Sequence, residues 1–508
     1  MELTGRHLRD VLARLWPDAG PLPALGDAAL RLCTDSRQTG PDSVFVAVPG
    51  VSADGRDFIA AALAAGACAV LCHAGDGHAA PEDPRVVMLP GLRQRLGELG
   101  RELFAVPESL ALIGVTGTNG KSSVTHYVAE LSEALGVPAG LVGTLGHGRL
   151  GALHDAGLTT PGPLALQAAL AELAGEGVQR VAMEVSSHAL EQGRLDGCRL
   201  AAAVFTNLTR DHLDYHGSMA AYAAAKARLF RREELRLAVV NADDSLARLM
   251  LAGLPGGQEG RVRVLATGQG EAVTFRVVDW HPHAAGQRAL VATPEGERVL
   301  ETSLLGRFNL DNLLLAIATL HGLGHGIGEL FEAAAGLAPV PGRMEALVRP
   351  GAPTVVIDYA HTPDALDNAL AALRDHRPMD GRLWCLFGCG GDRDPGKRAL
   401  MAAAAERHAD RLVVTDDNPR GEEPAAIRAA VLAGLSGGAR RQALEIAGRG
   451  AAIARVLADA DAEDVVLIAG KGHEAYQEVA GVRHPFSDLA EAERALAARE
   501  GRDGEEGA

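Results

Sequence analysis

Residues 115–123 read VTGTNGKSS, and the apolar run at residues 110–114 comes directly before them. This order predicts a buried strand, then a glycine-rich turn, then the start of a helix. The glycines allow backbone N–H groups to approach phosphate oxygens, and a helix N-terminus favours negative charge. Lys121 is placed to reach terminal phosphates, and the Ser122 hydroxyl to bind Mg²⁺. The segment therefore predicts a nucleotide-binding turn.

The match to the general phosphate-binding pattern G-x-x-x-x-G-K-[ST] is incomplete. Its first position is Val115, and the nearest glycine, Gly114, lies one residue too early. Taken alone, such a turn is also compatible with an ordinary connection between a strand and a helix. The strand before it and the apolar helix after it favour nucleotide binding.

Length and composition limit the function classes. A chain of 508 residues predicts about three domains, and 47% hydrophobic with 22% charged residues is typical of globular proteins. The net charge of −16 argues against a general nucleic-acid or anionic-membrane surface, although a local basic pocket for a small anionic substrate remains compatible with it. No targeting signal or membrane-spanning stretch is visible, and six cysteines are too few for a disulfide scaffold. We expect a cytoplasmic protein without membrane insertion.

Apolar runs that alternate with helical segments predict parallel sheets covered by helices on both faces. The predicted strands are residues 44–48, 110–116, 139–144, 180–186, 202–207, 237–241, 354–359, 382–388, 411–416 and 464–470. A more polar, β-rich insertion is predicted around residues 262–300. We expect an α/β chain with three domains, namely a small N-terminal α/β domain (1–106), a central P-loop parallel-sheet domain (107–338) and a C-terminal Rossmann-like domain (339–508).

Polar residues lie at the ends of two buried strands of the central domain. Glu184 lies near a strand end, where a carboxylate is costly to bury unless it is paired or binds a metal. A metal- or water-orienting role and a salt bridge or capped loop are equal alternatives there. Asp211 and His212, in TNLTRDHLDYH (206–216), are candidates for metal or phosphate binding, but a lone loop histidine is more often only exposed.

Lys226 lies in the segment MAAYAAAKARLF (219–230). Read as a helix, this segment places Lys226 in an apolar stripe with Tyr222 and Phe230. The long side chain reaching out to solvent is one explanation. The other is a functional lysine whose pKa is depressed by burial. A neutral amine of that kind can react with CO₂ to form a carbamate, and spacing alone does not decide between the two.

Further polar positions lie in the second half of the chain. Asn309 and Asn312 precede an apolar run, where they indicate either helix capping or contact with an adenine or a phosphate. Polar turns with glycine or proline also follow successive strands of the last sheet, at residues 358–364, 388–394, 416–420 and 470–474. Each alone is typical of a loop, but together at one sheet edge they predict a binding site.

Together these motifs resemble the Mur ligases of bacterial cell-wall synthesis. The resemblance runs from TDSR (34–37) through GTNGKS, EVSSHAL, TNLTRDHLDYHG, DYAHTPDAL, GCGGDRD and DDNPR to GKGHE (470–474). It implies an ATP-dependent amide ligase with an N-terminal domain for the UDP-MurNAc substrate, a central ATPase domain and a C-terminal amino-acid-binding domain. One departure is Ser122, where threonine is usual in the family, and this change keeps the hydroxyl.

The resemblance also implies the reacting groups. The family's carbamylated lysine (N6-carboxylysine) falls on Lys226, which favours the functional explanation of its position. Mg²⁺ would be held by Ser122, Glu184, His212 and the Lys226 carbamate. Catalysis would rest on Lys121, Lys226, Glu184 and His212. ATP would bind Thr116, Gly117, Thr118, Asn119, Gly120, Lys121, Ser122, Asn309 and Arg343.

The DNPR motif resembles the version found in diaminopimelate-adding members. The implied substrates are ATP, UDP-MurNAc-L-Ala-D-Glu and meso-diaminopimelate, used by a monomer that forms ADP and phosphate. The UDP-MurNAc-peptide would contact Thr34, Ser36, Thr159, Thr160, Ser186, Gln192 and Arg194. Diaminopimelate would contact Arg393, Asp417, Asn418, Pro419, Arg420, Gly470 and Glu474. The alternatives are a lysine-adding Mur ligase and another ligase of the superfamily, such as folylpolyglutamate synthetase.

Overall fold

The computed structural model describes residues 3–19, 25–51, 53–75, 77–78, 81–154, 157–255 and 262–506. The chain divides into two compact units. The first comprises residues 1–240 with 244–264, and the second comprises residues 241–243 with 265–508. Both contain parallel sheets with helices, so the predicted α/β class is confirmed. The predicted domain boundaries at 106/107 and 338/339 stay predictions.

The first unit begins with a small parallel sheet in which the strands keep their chain order. Its strands are β1 Arg31–Cys33, β2 Ser43–Ala47, β3 Ala69–Ala74 and β4 Val86–Pro90. Its helices are α1 Gly5–Leu15, α2 Ile59–Ala64 and α3 Leu96–Phe104, with short 3₁₀ helices at Ser36–Gln38, Gly55–Phe58 and Leu92–Arg95. Strand β2 (SVFVA) is buried throughout because apolar clusters cover both faces of the sheet.

A larger sheet follows in the first unit. Its strands are β5 Ala111–Thr116, β6 Ala139–Gly143, β7 Gly146–Arg149, β8 Ala152–His154, β9 Arg180–Glu184, β10 Leu200–Phe205 and β11 Leu237–Asn241. They lie in the order β11-β10-β5-β9-β6-β7-β8, and only β7 and β8 run antiparallel to their neighbours. The helices are α4 Lys121–Ala134, α5 Pro163–Gly175, α6 Ser187–Glu191, α7 Leu213–His216, α8 Met219–Ala227 and α9 Ala247–Leu251, with a 3₁₀ helix at Arg228–Arg231. The strand preceding the glycine-rich turn is central, so the turn lies where parallel sheets bind ligands.

The β-rich insertion predicted around residues 262–300 is confirmed. It consists of β12 Arg263–Gly268, β13 Phe275–His283, β14 Gly286–Thr293 and β15 Gly296–Thr302. Strands β13, β14 and β15 form an antiparallel meander. Helices α10 Arg307–Gly322 and α11 Ile327–Ala334 come next.

The last sheet has the predicted Rossmann-like character. Its strands are β16 Glu345–Leu347, β17 Thr354–Asp358, β18 Leu383–Phe387, β19 Arg411–Val414, β20 Leu444–Glu445 and β21 Val465–Ala469. Their order is β16-β17-β21-β18-β19-β20, and all pairs except β16–β17 are parallel. The accompanying elements are a hairpin, β22 Tyr476–Val479 and β23 Val482–Pro485, and helices α12 Pro363–His376, α13 Gly396–His408, α14 Pro424–Leu432, α15 Gly437–Gln442, α16 Arg449–Asp459 and α17 Asp488–Glu506. Apolar clusters on both faces bury the sheet and leave its strand ends to carry polar groups.

A fully buried ion pair ties two helices to this sheet. Nε and Nη2 of Arg449 donate to the two carboxylate oxygens of Asp488 at 2.6 and 2.7 Å. Nη2 also donates to the carbonyl oxygen of Ala469, the last residue of β21, at 2.9 Å. Both side chains of the pair are 0% exposed. The pair therefore anchors the end of β21, from which a candidate binding turn begins.

Among the described residues, no helix combines the length and apolar content that a bilayer crossing needs.

Replacing Asp488 by asparagine leaves the Arg449 guanidinium buried beside a neutral amide. We expect the free energy of unfolding of the second unit to fall by about 3–5 kcal/mol, as is typical when one partner of a buried ion pair is removed. Urea denaturation of the full chain measures this loss. The control is Arg494→Gln on the same helix, because Arg494 is 70% exposed and its surface ion pair contributes at most about 1 kcal/mol. Equal losses for the two variants would contradict the structural role of the pair.

Candidate functional site

The glycine-rich turn lies between β5 and α4, as predicted. Gly117 and Gly120 have φ values of +153° and +82°, which side chains with a Cβ rarely adopt. A Cβ on Gly117 would lie 1.9 Å from Oγ1 of Thr206, which follows the neighbouring strand β10. The turn is therefore pressed against β10 and presents its backbone to a ligand at the N-terminus of α4, an arrangement suited to phosphate.

Two lysine amines meet at one carbonyl oxygen of this turn. Nζ of Lys226 donates to the oxygen of Gly117 at 2.7 Å, and Nζ of Lys121 donates to the same atom at 3.1 Å. Lys121 also donates to the oxygen of Thr118 at 2.7 Å. Lys226 is only 1% exposed, so the apolar stripe seen in the sequence is buried and the lysine does not extend to solvent.

Burial, with Lys121 nearby, holds the pKa of the Lys226 amine well below its usual range. The ring of Tyr222 covers the amine, with Nζ 4.6 Å from the ring centre. Burial also raises the pKa of Tyr222 to about 12, so its hydroxyl stays protonated and contacts Oγ1 of Thr118 at 3.2 Å. A lowered pKa favours the neutral amine, which is the nucleophilic form that carbamate formation requires.

The Glu184 carboxylate is buried at the end of β9, beside β5. Its Oε1 accepts from the backbone N–H of Thr144 at 2.9 Å, and its Oε2 accepts from Oγ1 of Thr144 at 3.1 Å. The sequence left open a role toward a metal or water, a salt bridge and a capped loop for Glu184. Both contacts come from Thr144, so they are those of a capped loop and not of an arginine salt bridge. Its predicted role toward a metal stays a prediction.

His212 lies at the start of α7 with a left-handed backbone, φ +50°. Its ring packs edge-on against His188, with ring centres 5.0 Å apart, and lies 6.1 Å from the ring of Tyr222. The structure therefore brings His212 close to the ring that covers Lys226. The His212 side chain is 48% exposed, so it is accessible to a ligand.

Four of the residues predicted to contact the peptide substrate form one network. Oγ1 of Thr160 donates to the oxygen of Glu184 at 2.8 Å and accepts from the N–H of Ser186 at 3.2 Å. Nη1 of Arg194 donates to the oxygen of Thr160 at 2.8 Å, and its Nη2 donates to Oε1 of Gln192 at 2.7 Å. This network therefore joins Thr160 to the end of β9 and to the segment that follows it.

The remaining peptide-contact predictions are less connected. Thr159 shares a hydroxyl contact of 3.1 Å with Thr144, the partner of Glu184. Thr34 and Ser36 lie just after β1 in the small N-terminal sheet, where Thr34 is exposed and Ser36 half-buried. Their roles toward a substrate stay predictions.

The four polar turns of the last sheet do meet at one edge, as predicted. A Cβ on Gly391 would lie 2.0 Å from the oxygen of Pro419, and a Cβ on Gly470, where φ is +119°, would lie 2.7 Å from Oδ2 of Asp417. The glycines therefore allow the turns after β18 and β21 to pack directly against the DNPR segment.

The DNPR segment is held by the β22–β23 hairpin. Backbone bonds join Arg420 N–H to the oxygen of Glu478 at 3.0 Å and Ala480 N–H to the oxygen of Arg420 at 2.7 Å. Arg420 has a left-handed φ of +50°, and its Nη1 donates to the oxygen of Gly391 at 2.9 Å. The backbone of Arg420 and its Nη1 are therefore held in place, and the guanidinium has further N–H donors for a carboxylate.

The other basic residues at this edge of the last sheet differ in burial and in their contacts. Arg393 is exposed in the turn after β18, where its predicted role toward a ligand stays a prediction. Arg398 is buried and binds Oε1 of Glu422 at 2.8 Å, so it stabilises the turn. Lys471, which the sequence interpretation did not select, is 0% exposed and contacts both Asn418 and Glu474 at 3.0 Å. The sequence shows Lys471 within GKGHE, but it does not show that this lysine is buried.

Arg343 joins the same edge. A Cβ on Gly342 would lie 2.1 Å from the backbone nitrogen of His473, and Met344 N–H donates to Oδ2 of Asp358 at 2.8 Å. The Arg343 guanidinium lies 4.8 Å from the centre of the Tyr359 ring. The loop that carries Arg343 is thus fixed against the turns after β17 and β21, and its predicted contact with nucleotide stays a prediction.

The structure rules out helix capping, one of the two roles that the sequence indicated for Asn309 and Asn312. Helix α10 begins at Arg307 with Gly306 as its N-cap, so neither asparagine caps it. Instead, Nδ2 of Asn309 donates to the oxygen of Leu305 at 2.8 Å, and the side chain is buried. The predicted contact of Asn309 with nucleotide stays a prediction.

Within the described ranges, no group of three or more His, Cys, Asp and Glu side chains is arranged to hold a metal ion. The predicted magnesium set has only two residues of these types, Glu184 and His212, together with a hydroxyl and a modified lysine, so it stays a prediction. Mg²⁺ prefers oxygen ligands, and three of the four predicted donors would supply them: the Ser122 hydroxyl, the Glu184 carboxylate and a carbamate on Lys226.

The fold and the turn after β5 define the class of the protein: it is a P-loop α/β protein. Family models match three successive parts of the chain. These are the Mur ligase family catalytic domain at residues 31–102, the Mur ligase middle domain at 115–320, and the Mur ligase glutamate ligase domain at 342–472. The chain therefore belongs to the Mur ligase family, and it is an enzyme of the ligase class.

Individual relatives and one solved structure give a more specific similarity than the family models. The chain is 50% identical to a UDP-N-acetylmuramoyl-L-alanyl-D-glutamate–2,6-diaminopimelate ligase of Ectopseudomonas mendocina, over 94% of this chain and 98% of the relative. It is also 50% identical to the ligase of that name from Pseudomonas aeruginosa, over 92% and 95%. A solved structure of a ligase with that name superposes with a TM-score of 0.71 at 37% identity, covering 98% of this chain and all of the other.

The turn after β5 allows a direct test. In the Gly117→Ala variant the added Cβ would clash with Thr206, and the backbone would be strained at φ +153°. We expect affinity for ATP and ADP to fall by about 5- to 150-fold, since such strain costs on the order of 1–3 kcal/mol. Isothermal titration calorimetry measures this. The control is Gly175→Ala in α5, where a Cβ meets nothing within 4 Å, and unchanged affinity in Gly117→Ala would contradict the phosphate-binding role.

Proposed function

We propose that this ligase joins meso-2,6-diaminopimelate to the D-Glu γ-carboxylate of UDP-MurNAc-L-Ala-D-Glu. The reaction would consume ATP, form ADP and phosphate, and supply the tripeptide precursor of peptidoglycan in the cytoplasm. The observation that carries the chemistry is the pair of lysine amines on the Gly117 carbonyl oxygen. The relatives named after this reaction support the choice of substrates.

Phosphoryl transfer comes first. Residues 116–122 bind the triphosphate, and Lys121 moves from the Gly117 and Thr118 oxygens onto the γ-phosphate, neutralising its charge. The substrate γ-carboxylate then attacks the γ-phosphorus, and the bond from that phosphorus to ADP breaks. The product is an acyl phosphate, which a carboxylate needs because it is otherwise a poor acyl donor.

The buried Lys226 amine would carry a carbamate formed with CO₂, which turns a neutral group into an anionic oxygen donor. Mg²⁺ when bound supplies charge neutralisation at the phosphates. The residues proposed to hold it are Ser122, Glu184, His212 and the Lys226 carbamate. Support comes from the burial of Lys226, from the depressed pKa of its amine and from the ring contacts that bring His212 close to Tyr222.

Amide formation follows. The neutral amine of diaminopimelate attacks the acyl carbon, the bond from that carbon to the phosphate oxygen breaks, and phosphate leaves. The second amino-acid centre of diaminopimelate binds at the edge of the last sheet. There, Arg420 pairs with its carboxylate, and Arg393, Asp417 and Glu474 complete the site, with Asn418, Pro419 and Gly470 forming its walls.

The carbamate predicts an unusual pattern of chemical rescue. We expect Lys226→Ala to lose about 100-fold or more in kcat, as when one electrostatic stabiliser is removed from an active site. Formate or acetate should restore part of the lost activity by replacing the carbamate oxygens, whereas ethylamine should not. Steady-state ADP release measures both effects.

The control for this variant is Arg228→Ala, which removes an exposed cation two residues away and should retain wild-type rates. Rescue by ethylamine alone would show that the free amine is the working group, and the carbamate would then be wrong. Activity of Lys226→Ala close to that of wild type would exclude any catalytic role for this residue.

Amine selection is tested with L-lysine, which lacks the distal carboxylate. We expect kcat/KM for diaminopimelate to exceed that for L-lysine by at least about 30-fold, because a desolvated arginine–carboxylate pair contributes on the order of 2–5 kcal/mol. Arg420→Ala should lose most of this preference by raising the KM for diaminopimelate while leaving lysine turnover unchanged. Exposed Arg441, replaced by alanine, is the control. Efficient lysine turnover by the wild type would instead identify a lysine-adding ligase.

A further inference from the structure

Lys471 is a buried cation that the reaction described above does not use. It lies in the turn after β21 and is 0% exposed. Its Nζ donates to Oδ1 of Asn418 and to Oε2 of Glu474, each at 3.0 Å. The ammonium therefore joins two segments, DNPR and GKGHE, that lie more than fifty residues apart in sequence, since Asn418 and Lys471 are separated by 53 positions.

These contacts fix which way the Asn418 amide points. A lysine ammonium is only a donor, so the amide group that faces it must be the oxygen. The same Oδ1 accepts from the backbone N–H of Glu478 at 2.9 Å, and Nδ2 donates to Oε2 of Glu474 at 2.9 Å. Three independent partners thus agree on one orientation, and a flipped amide would set two donors against Lys471 and Glu478.

The orientation has a consequence for recognition. Nδ2 of Asn418 has two hydrogens, and Glu474 accepts one of them. Glu474 in turn receives two bonds on its Oε2 alone, from Asn418 and Lys471. One amide hydrogen and one carboxylate oxygen are then presented together, which suits the carboxylate and the ammonium of an amino-acid centre.

We propose that Lys471 is a positioning residue that selects the amino-acid substrate by locking Asn418 as a hydrogen-bond donor and Glu474 as an acceptor. The proposal rests on the proposed function, because it concerns how the distal centre of diaminopimelate is held. Lys471 itself does not touch the substrate. Without it, the Asn418 amide loses one of the two donors that oppose the flipped orientation, Glu474 loses its ammonium partner, and the donor–acceptor pair is less firmly fixed.

The composition of the chain agrees with a specific need for lysine here. Lysine occurs at only four positions, 121, 226, 397 and 471, whereas arginine supplies the other basic residues. A compact ammonium can bond two neighbouring groups in a closed site, whereas a planar guanidinium is larger and spreads its donors in a fork. Arginine would therefore not reproduce these contacts.

The test compares Lys471→Met, which keeps the length of the side chain but removes its donors, with the wild type. We expect the KM for diaminopimelate to rise at least about tenfold, the effect of losing one or two hydrogen bonds. The kcat should stay within about threefold and the KM for ATP within about twofold, because neither the acyl phosphate nor the nucleotide depends on this contact. The variant Lys471→Gln, which keeps an N–H donor, should show a smaller rise.

A double-mutant cycle separates this role from general destabilisation. Asn418→Asp replaces the presented N–H by an oxygen and should raise the KM for diaminopimelate strongly in the wild-type background. In the Lys471→Met background it should add clearly less, only about twofold, because the amide and Glu474 are already less firmly held. The remote core variant Leu457→Ala, in helix α16, lowers stability and should leave the KM for diaminopimelate unchanged.

Two results would overturn the role of Lys471. One is an unchanged KM for diaminopimelate in Lys471→Met or in Asn418→Asp, and the second variant decides the matter even if the first does not fold. The other is a parallel rise in the KM for ATP and for diaminopimelate, which indicates a purely structural lysine. If the wild-type enzyme fails to ligate diaminopimelate at all, the proposed function is wrong and this role falls with it.

Discussion

The carbonyl oxygen of Gly117 is the point on which the central site depends. It accepts hydrogen bonds from Lys121 at 3.1 Å and from Lys226 at 2.7 Å, which brings two amines together in a buried place. Burial, and after it the charge of the half-buried Lys121, holds the pKa of the Lys226 amine well below its usual range. The nucleotide-binding turn and Lys226 are therefore coupled through one carbonyl oxygen.

The second site follows from sheet geometry. Strands β17, β21, β18 and β19 are adjacent and parallel, so the turns that follow them emerge at one edge. Glycines at 391 and 470 let these turns approach within van der Waals contact, and the β22–β23 hairpin holds the backbone of Arg420. A ligand bound at this edge, as proposed, would meet a backbone whose contacts are already formed, which lowers the entropy lost on binding.

Much of this organisation was predictable from the sequence. The ten strands that the sequence analysis predicted lie within about two residues of their predicted ranges, because buried parallel strands are continuous apolar runs bounded by polar turns. Helical spacing placed Lys226 in an apolar stripe but left open whether its amine is buried or reaches solvent, and the structure shows that it is buried. The shared Gly117 oxygen did not, since it joins residues 109 positions apart. Lys471 was missed because a lysine between two glycines is typical of an exposed turn. The capping role considered for Asn309 was wrong because α10 begins at Arg307, after Gly306.

The central claim is that the carboxylate is activated by direct phosphorylation, and oxygen tracing tests it most directly. The measurement uses UDP-MurNAc-L-Ala-D-Glu with ¹⁸O in the γ-carboxylate, ATP and diaminopimelate, and analyses the released phosphate by mass spectrometry. The account predicts that each ligation transfers one carboxylate oxygen to phosphate, because the acyl phosphate breaks at its carbon–oxygen bond. Phosphate that contains no ¹⁸O, formed at the same rate as the amide, would contradict it.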